Sequence, residues 1–382
     1  MRVLVVDTDY PQFLSWLYRS NRGLRHASYE TQRAVRTDSL FGTAAAYAAA
    51  FSALGHEAAE IYADNLPLQR AWAREHGIDV GRTRRPAGIK PRALARRALR
   101  GTRSVPSYLV PSPHEDELLR SILLEQVSAF RPELVLNQSI HALDPSLVRA
   151  IGRDAVVVGQ HAATPLPDDD MLRSYDLLVS SFQPTVDELG RRGFGARLNR
   201  LGFDPGVLSA LGEPRGPSWG LTFVGSLAPV HSSRRAFLEE LAALVPELRI
   251  WSHDPIPRSS PLYERNGGPA WGRRMYEILR GSRATVNHHG DIPPYANNLR
   301  LYEATGVGTV LLTDAKPNLA ELFTPGTEVL TFDSARECAD RYLALSDDDR
   351  DAVAAAGQRR TLAEHSYTQR VEELLQMVRE LR

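Results

Sequence analysis

One short stretch, residues 294–332, constrains the fold more than any other part of this sequence. Asn297 or Asn298 can cap a helix, because an Asn side chain accepts a hydrogen bond from an orphan backbone N–H at a helix start. Gly306 can end that helix, since the position just past a helix often needs a positive φ. A strand, a second helix and a second strand are then predicted at 309–313, 318–323 and 328–332. This alternation is typical of a parallel α/β sheet.

The first half of the chain repeats the pattern of short apolar runs that end in polar residues. The runs predict strands at 3–6, 134–136, 155–158 and 177–179. No Gly-x-Gly-x-x-Gly follows the first run, which disfavours a nicotinamide or flavin site. A chain of 382 residues can bury two cores, and the Gly- and Pro-rich stretch 202–217 is typical of a linker. We therefore predict one domain over 1–205 and a second that begins at 206.

Composition excludes several classes of protein. The 46 basic and 46 acidic residues cancel, so no bulk attraction to nucleic acid is expected. The single cysteine, Cys338, rules out an internal disulfide and a cysteine-rich metal site. The N-terminus begins with a predicted strand rather than a signal peptide, and no run approaches the about 20 apolar residues of a membrane span. We expect a cytoplasmic protein.

Two charged residues lie on the helix predicted near Asn298. Arg300 and Glu303 are three residues apart, so their side chains lie on neighbouring faces of the helix. Because ligands of parallel sheets bind beyond the carboxyl ends of the strands, Arg300 can meet a diphosphate and Glu303 can accept two ribose hydroxyls. The alternative is an exposed ion pair on a solvated helix, and spacing alone leaves both open.

Polar residues at the predicted strand ends of the first half are candidates for the chemistry. Asp7 and Asp9 follow the first strand, where they can act as a base or bind an acceptor, or can simply cap the loop. His161 follows the strand at 155–158, and an imidazole there can act as a base or can bond the backbone. In the second half, Gly225 directly follows a predicted strand, which lets the backbone approach a phosphate.

The segment Asn298-Leu-Arg-Leu-Tyr-Glu-Ala-Thr-Gly-Val-Gly-Thr-Val-Leu-Leu-Thr-Asp314 resembles the donor-binding segment of GT-B glycosyltransferases. It is most similar to the CgeB-like (spore-maturation-type) group, which has a group-1 glycosyltransferase C-terminal domain. Two downstream stretches fit the same group: Ala355-Ala-Gly-Gln-Arg-Arg-Thr-Leu362 and Glu364-His-Ser-Tyr-Thr-Gln-Arg370. Retaining family 4 enzymes carry two glutamates eight positions apart. Glu303 matches the second, at the ribose, whereas Tyr295 stands at the first.

The resemblance implies an α/β fold of the GT-B type, in which two Rossmann-like parallel-sheet domains face each other across a cleft. The C-terminal domain, 206–366, would bind a nucleotide-diphospho-sugar, and the last helix, 367–382, would cross back to the first domain. We expect a UDP-sugar, with GDP- and dTDP-sugars as alternatives. The expected donor-binding residues are Gly225, Ser226, Arg234, Arg235, Trp251, His288, Asn298, Arg300 and Glu303.

Several of these residues are placed by the family alone. Arg234 or Arg235 would grip the diphosphate, although either can be an ordinary surface charge, and Ser226 stands where an Arg is common. Trp251 would lie near the nucleobase. Of the adjacent His288 and His289, one would contact the donor, since two histidines without a third ligand make a poor metal site.

The predicted activity is metal-independent transfer of a hexose to a glycan, protein or small molecule. No Asp-x-Asp motif follows a suitable strand, so arginines and helix N-termini would stabilise the leaving diphosphate. If the enzyme inverts, His161, Asp7 or Asp9 is the base; if it retains, the leaving phosphate takes the acceptor proton. The alternatives are a nucleotide-sugar epimerase of similar fold and a degenerate sugar-nucleotide-binding partner protein.

Residues 82–103 differ from the rest of the chain in composition. They contain nine Lys or Arg residues and no acid. A mobile insertion, an oligomer contact, or contact with an anionic membrane surface or an acidic acceptor all suit such a segment.

Overall fold

The computed structural model describes residues 1–78, 113–162, 165–213, 216–228, 231–289 and 295–381. The basic segment 82–103 lies outside these ranges, so the hypotheses about it stay predictions. The chain divides into two compact units. Unit 1 comprises residues 1–200 and 371–382, and unit 2 comprises residues 201–370.

Unit 1 contains a six-stranded sheet in the order β2-β1-β3-β4-β5-β6. Every pairing between these strands is parallel. The strands are β1 Arg2–Asp7, β2 Glu57–Tyr62, β3 Leu134–Asn137, β4 Val156–Gln160, β5 Leu177–Ser180 and β6 Ala196–Leu198. The helices described in this unit are α1 Pro11–Ser20, α2 Tyr29–Asp38, α3 Ala44–Ala53, α4 Leu66–Glu75, α5 Pro113–Phe130, α6 Pro145–Ile151, α7 Asp169–Leu172 and α8 Gln183–Arg191, with a 3₁₀ turn at Leu24–His26.

Unit 2 contains a five-stranded parallel sheet in the order β11-β10-β9-β7-β8. Its strands are β7 Trp219–Val224, β8 Arg249–Trp251, β9 Ser282–Asn287, β10 Val310–Asp314 and β11 Leu330–Phe332. Its helices are α9 Gly206–Leu211, α10 Ser232–Leu244, α11 Arg273–Arg280, α12 Arg300–Gly306, α13 Ala335–Ala344 and α14 Asp347–Glu364, with a 3₁₀ turn at Leu319–Glu321. The last helix, α15 Tyr367–Arg379, begins in unit 2 and continues in unit 1.

The central strands are buried because helices cover both faces of a parallel sheet. All four residues of β3 are buried in unit 1, and all five of β10 are buried in unit 2. The core of unit 1 includes Val135, Val157 and Leu178, and that of unit 2 includes Leu221, Ala284 and Leu312. Each unit therefore has its own hydrophobic core.

The described part of this stretch, residues 295–332, forms the predicted succession, with two corrections. Gly306 is not the left-handed residue that follows α12; it is the last residue within the helix, and a Cβ there would lie 2.5 Å from the Phe203 ring. The left-handed residue is Gly308, at φ 77°. The predicted second helix is only the 3₁₀ turn at Leu319–Glu321. Glycine at position 306 thus serves close packing rather than helix termination.

The first and last segments of unit 2 are joined by backbone hydrogen bonds close to the points where the chain passes between the units. The N–H of Phe203 donates to His365 O at 2.8 Å, and the N–H of Tyr367 donates to Phe203 O at 3.1 Å. These bonds attach the segment after unit 1 to the end of α14.

None of the helices that the structure describes is both long and apolar enough to span a membrane.

Candidate functional site

Four strands of unit 2, β7, β8, β9 and β10, have their carboxyl ends at one edge of its sheet, because parallel strands all end at the same edge. The residues at these strand ends include Gly225, Ser226, Asp254, His288, His289, Asp314 and Lys316. This edge contains most of the residues that the sequence predicts to bind a donor.

The loop after β7 is fixed by one carboxylate from the loop after β8. Ser226 Oγ donates to Asp254 Oδ2 at 2.7 Å, and the N–H of Leu227 donates to the same oxygen at 2.6 Å. Burial by itself raises the pKa of Asp254, but these hydrogen bonds outweigh it and hold the pKa below its ordinary value. The N–H of Gly225 donates to Trp251 O at 3.0 Å. Ser226 and Gly225 therefore shape the loop through local contacts.

Arg234 and Arg235, at the start of α10, donate to backbone carbonyls of this edge. Arg234 is buried, and its guanidinium bonds His288 O at 2.8 Å and Ser226 O at 2.9 Å. Arg235 bonds Leu227 O at 2.8 Å. Neither is a simple surface charge. Arg234 joins the loops after β7 and β9 and places a permanent positive charge between them.

Arg300 and Glu303 form an ion pair at the start of α12. Arg300 Nη1 lies 2.9 Å from Glu303 Oε2, and the two side chains are only 13% and 12% exposed. Arg300 also donates to Val224 O, the last carbonyl of β7, at 3.0 Å. The pair exists, as the simpler alternative predicts, but it is mostly buried at the strand edge rather than solvated on a free helix face.

The mostly buried Glu303 lies close to Tyr276, which is also influenced by the charge of Asp204. Burial raises its pKa, and the charge of Arg300 only partly offsets this. Tyr276, which is buried on α11, has its pKa raised by burial and by the negative charge of Glu303. The pKa of Asp204 is also raised by burial, against a hydrogen bond from the N–H of Gly206. A carboxylate in such surroundings gains strongly from hydroxyl donors.

A second charged group at this edge was not found from the sequence. His289 is buried, and its Nδ1 lies 2.5 Å from Asp314 Oδ1, while Lys316 Nζ lies 3.0 Å from Asp314 Oδ2. Burial raises the pKa of Asp314, but His289 and Lys316 outweigh it and hold the pKa well below its ordinary value. Sequence reasoning chose His288, whose carbonyl bonds Arg234 and whose ring packs against Phe237 at 4.9 Å. The sequence could have indicated His289 instead, because Asp314 ends the next strand along the chain and offers a carboxylate partner.

Asn298 and Trp251 are both predicted donor-binding residues, and both make structural contacts. Asn298 Nδ2 donates to Asn287 Oδ1 at 2.8 Å, and its Oδ1 accepts the N–H of Leu301 at 3.3 Å. The Trp251 ring is buried edge-to-face against Trp219 at 5.1 Å. Asn298 therefore ties the start of α12 to β9, and Trp251 is a buried residue of the packed interior.

Two rings after β8 are more accessible than Trp251. His253 stacks obliquely on Trp271, with 4.9 Å between ring centroids, and its side chain is 28% exposed. For His253, the position of its loop after β8 was the only signal in the sequence, and Trp271 was not predicted to take part.

In unit 1, Asp9 is buried in an ion pair. Arg36 Nη2 lies 2.6 Å from Asp9 Oδ1, and Arg36 Nε donates to Asp9 Oδ2 at 3.3 Å. Both side chains are almost fully inaccessible, at 1% and 0% exposed. Because both carboxylate oxygens are engaged, this placement suits an anchoring role better than that of a base.

Asp7 has a different environment at the end of β1. Its Oδ1 accepts the N–H of Thr8 at 2.8 Å, and the residue is half-buried. Burial raises the pKa of Asp7 to about 7, with a smaller contribution from Asp9. A carboxyl group that titrates near neutral pH is suited to accept a proton.

His161 follows β4 at the same edge of the unit 1 sheet. Its N–H donates to Val179 O at 3.0 Å, and its ring meets the His141 ring edge-to-face at 5.1 Å. The structure therefore brings a second imidazole to His161.

Among the residues that the structure describes, no three His, Cys, Asp or Glu side chains gather in a group that could hold a metal ion.

Residues 234–376 match a family described as "Glycosyl transferase-like". No curated protein matches the chain significantly.

Solved structures resemble the whole chain. Sucrose-phosphate synthase from Thermosynechococcus elongatus is 12% identical, with a TM-score of 0.55 and coverage of 100% of this chain and 99% of the other. AviGT4, a glycosyltransferase involved in avilamycin A biosynthesis, is 16% identical, with a TM-score of 0.55 and coverage of 100% and 98%. An E. coli structure described as trehalose-6-phosphate bound with UDP-2-fluoro glucose is 13% identical, with a TM-score of 0.56 and coverage of 100% and 99%.

These likenesses confirm the fold class that the sequence predicts. The chain consists of two parallel-sheet α/β units with the GT-B fold of glycosyltransferases.

Proposed function

We propose that this protein is a glycosyltransferase that moves a hexose from a nucleotide-diphospho-sugar to an acceptor hydroxyl. The observation that carries the proposal is the mostly buried Arg300–Glu303 pair at the carboxyl edge of the unit 2 sheet. It places a guanidinium and a carboxylate side by side where such sheets bind ligands. The match of residues 234–376 to a glycosyltransferase-like family supports the same assignment.

The donor binds along the edge of unit 2. Arg300 turns toward the diphosphate, and Glu303, released from part of its ion pair, accepts the ribose hydroxyls. Arg234 adds a second fixed positive charge near the phosphates. His253 and Trp271 offer ring faces for the nucleobase. A UDP-sugar is the first candidate, since one structural neighbour is described as bound with UDP-2-fluoro glucose. GDP- and dTDP-sugars remain alternatives.

The leaving diphosphate gains negative charge as the sugar departs. Arg300 and Arg234 stabilise that charge, so we propose transfer without a required metal ion. His289 follows β9 and Lys316 follows β10; both are linked through Asp314 and are further groups for the donor. We further propose kinship with the CgeB-like group, which rests on sequence resemblance alone, in residues 298–314, 355–362 and 364–370.

On the acceptor side, Asp7 and His161 are the candidate bases, because Asp9 is engaged by Arg36. Asp7 is preferred, since its pKa of about 7 leaves much of it ionised at neutral pH. Tyr295 stands where retaining relatives have a glutamate, so the stereochemical outcome must be measured on the product.

A ligand screen tests the proposal. The melting temperature is measured with UDP, GDP, dTDP and ADP and their common sugars, with EDTA and with Mg²⁺ or Mn²⁺. A ligand that binds only the folded state raises the melting temperature. We expect one nucleotide to do so equally with and without metal. A shift that needs metal contradicts metal independence, and no shift with any donor contradicts the donor site.

Turnover separates the enzyme from its rivals. The nucleotide sugar selected by the screen is incubated with an acceptor panel, and the products are analysed by mass spectrometry. A glycosylated acceptor supports transfer. A new sugar isomer formed without acceptor identifies an epimerase, and binding without any turnover identifies a degenerate sugar-nucleotide-binding protein.

A further inference from the structure

An aromatic cluster follows β1 at the carboxyl edge of the unit 1 sheet. Tyr10 meets Phe41 edge-to-face at 5.8 Å, and Phe41 stacks on Phe13 at 4.0 Å. Phe13 is fully buried, whereas Tyr10 is 64% exposed. The cluster therefore begins in the core and ends in a tyrosine ring that is largely open to solvent, which is uncommon for a large side chain packed on other rings.

The backbone around Phe41 is held in an unusual conformation. Leu40 has φ 59° and Gly42 has φ 75°, and the left-handed region is unfavourable for a leucine. Arg36 Nη1 donates to Phe41 O at 2.6 Å. Strain of this kind persists only where the surroundings enforce it, and it is frequent at ligand sites. Phe41 is thus presented by a strained loop that a buried arginine fixes.

The same arginine fixes the segment that carries Tyr10. Arg36 binds both carboxylate oxygens of Asp9, the residue directly before Tyr10. The N–H of Asp9 also donates to Asp64 Oδ1 at 2.9 Å. One buried guanidinium therefore holds both loops, and the exposed ring of Tyr10 stands on a rigid base.

Asp7 lies three residues before Tyr10, at the end of β1. Its carboxyl is half-buried, and the charged or titratable groups that act on it are Asp9, Arg36, Tyr10 and Tyr62. An exposed aromatic ring and a carboxylate therefore lie close together just after the end of β1. This combination suits a ligand that has one apolar face and hydroxyl groups around it.

We propose that Tyr10 and Phe41 form an aromatic platform for a pyranose ring of the acceptor, one of whose hydroxyls donates a hydrogen bond to Asp7. A pyranose ring has a face of C–H groups that can cover the Tyr10 ring and hydroxyls that a carboxylate accepts. The inference rests on the proposed glycosyltransferase function and names its acceptor class: a glycoside rather than an apolar alcohol.

The test uses the full chain saturated with UDP and a panel of methyl pyranosides as probes. Saturation-transfer NMR detects binding, with p-nitrophenol as an aromatic probe without a sugar ring. We expect at least one methyl pyranoside to bind while UDP is bound. Tyr10→Ala should weaken that binding by about tenfold or more, and Tyr10→Phe should keep it within about twofold because the ring remains.

Tyr263→Ala is the matched control, since Tyr263 is an exposed tyrosine of unit 2, at 42%. It should leave pyranoside binding unchanged. The proposal is overturned if no pyranoside binds, if Tyr10→Ala binds as the wild type does, or if only p-nitrophenol binds. Nucleotide binding is measured separately, so a chain that binds pyranosides but no nucleotide contradicts the donor assignment and leaves the platform supported.

Discussion

At the scale of single residues, three carboxyl groups titrate differently because their neighbours differ. Burial raises the pKa of Asp7 to about 7 and also raises that of Glu303, which Arg300 only partly offsets. Asp314 is also buried, but His289 and Lys316 outweigh the burial and keep its pKa well below the ordinary value. Each of the three therefore supports a separate prediction.

Glu303→Gln tests the proposed ribose contact. A hydrogen bond to a charged acceptor contributes about 1.5–3 kcal/mol, so UDP affinity should fall about 10- to 100-fold. Wild-type affinity should also decline as the pH is lowered, because protonation through the raised pKa removes the acceptor charge. Calorimetry measures both. Glu277→Gln, on the exposed Arg274–Glu277 pair, is the control, and an unchanged affinity in Glu303→Gln rules out the ribose assignment.

Asp7→Asn tests the proposed base. The rate of transfer should rise with pH through about 7 in the wild type, because only the ionised carboxylate accepts a proton. The variant should lose about 10²- to 10⁴-fold in kcat and lose this pH dependence. The exposed Asp154→Asn serves as control. A variant that retains the wild-type profile would shift the assignment to His161.

The same substitution has a predicted effect on stability. The folded pKa of Asp7, about 7, lies above its ordinary 3.8, so the folded state binds more protons between these values. Stability is therefore lost as the pH rises through this window. The free energy of unfolding of Asp7→Asn minus that of the wild type should therefore be larger at pH 8 than at pH 4. Urea unfolding at the two pH values measures this, and an equal difference at both would contradict the raised pKa.

Asp314→Asn removes one partner of a buried charged group. This substitution should destabilise the protein by about 2–4 kcal/mol at pH 7, because His289 and Lys316 lose the carboxylate that they contact. The folded pKa is depressed, so this stability is lost as the pH falls below the ordinary 3.8. Unfolding curves at pH 7 and pH 3 check both statements. Asp347→Asn, at a 70% exposed side chain, should change little, and a comparable loss there would argue against a special role for Asp314.

Spacing placed Arg300 and Glu303 side by side and the family resemblance gave them a donor-binding role, but neither predicted that the pair is mostly buried. Residues three apart on a helix are neighbours whether the helix is buried or exposed. Their burial depends on Val224, 76 residues earlier in the chain, and on Tyr276. The roles of Asp9 and His289 were not predictable, because their partners Arg36 and Asp314 are 27 and 25 residues away.

At the scale of elements, Gly306 lets α12 pack closely against the segment that contains Phe203. A Cβ at Gly306 would lie 2.5 Å from the Phe203 ring, so the helix can approach only without a side chain there. The sequence predicted Gly306 as the terminating glycine because the position just past a helix often needs a positive φ. In the structure Gly308 has that conformation, and Gly306 is the glycine that packs against Phe203.

Gly306→Ala should therefore destabilise unit 2 by about 1–3 kcal/mol through overpacking. Gly190→Ala is the matched control: it lies in α8, and a Cβ there has no atom within 4 Å. This control should instead stabilise by about 0.5–1 kcal/mol, since alanine favours helix. Denaturant midpoints measure both effects, and equal effects of the two substitutions would refute the packing argument.

At the scale of the whole molecule, the last helix belongs to both units. Residues 371–382 group with unit 1, although 170 residues of unit 2 precede them. Val371, Leu374, Leu375 and Val378 are buried. Unit 1 is thus completed only after unit 2 has been synthesised.

Leu374→Ala should lower the stability of unit 1 by about 2–5 kcal/mol, because it leaves a cavity at a fully buried position. Hydrogen exchange should show lost protection in the strands of unit 1 before those of unit 2. Leu362→Ala, at a 36% exposed position on α14, is the control. Protection lost only in unit 2 would contradict the grouping of this helix with unit 1.

The sequence by itself determined the fold class, because short buried strands that alternate with helices permit few arrangements other than a parallel α/β sheet. It also determined which polar residues end the strands. Tertiary structure decided the partners of those residues. Arg234 joins His288 across 54 positions of sequence because β7 and β9 are neighbours in the sheet, and strand order is not written in local spacing. The residue before Tyr10, Asp9, is likewise held by Arg36 from 27 positions away, a contact that no periodicity predicts.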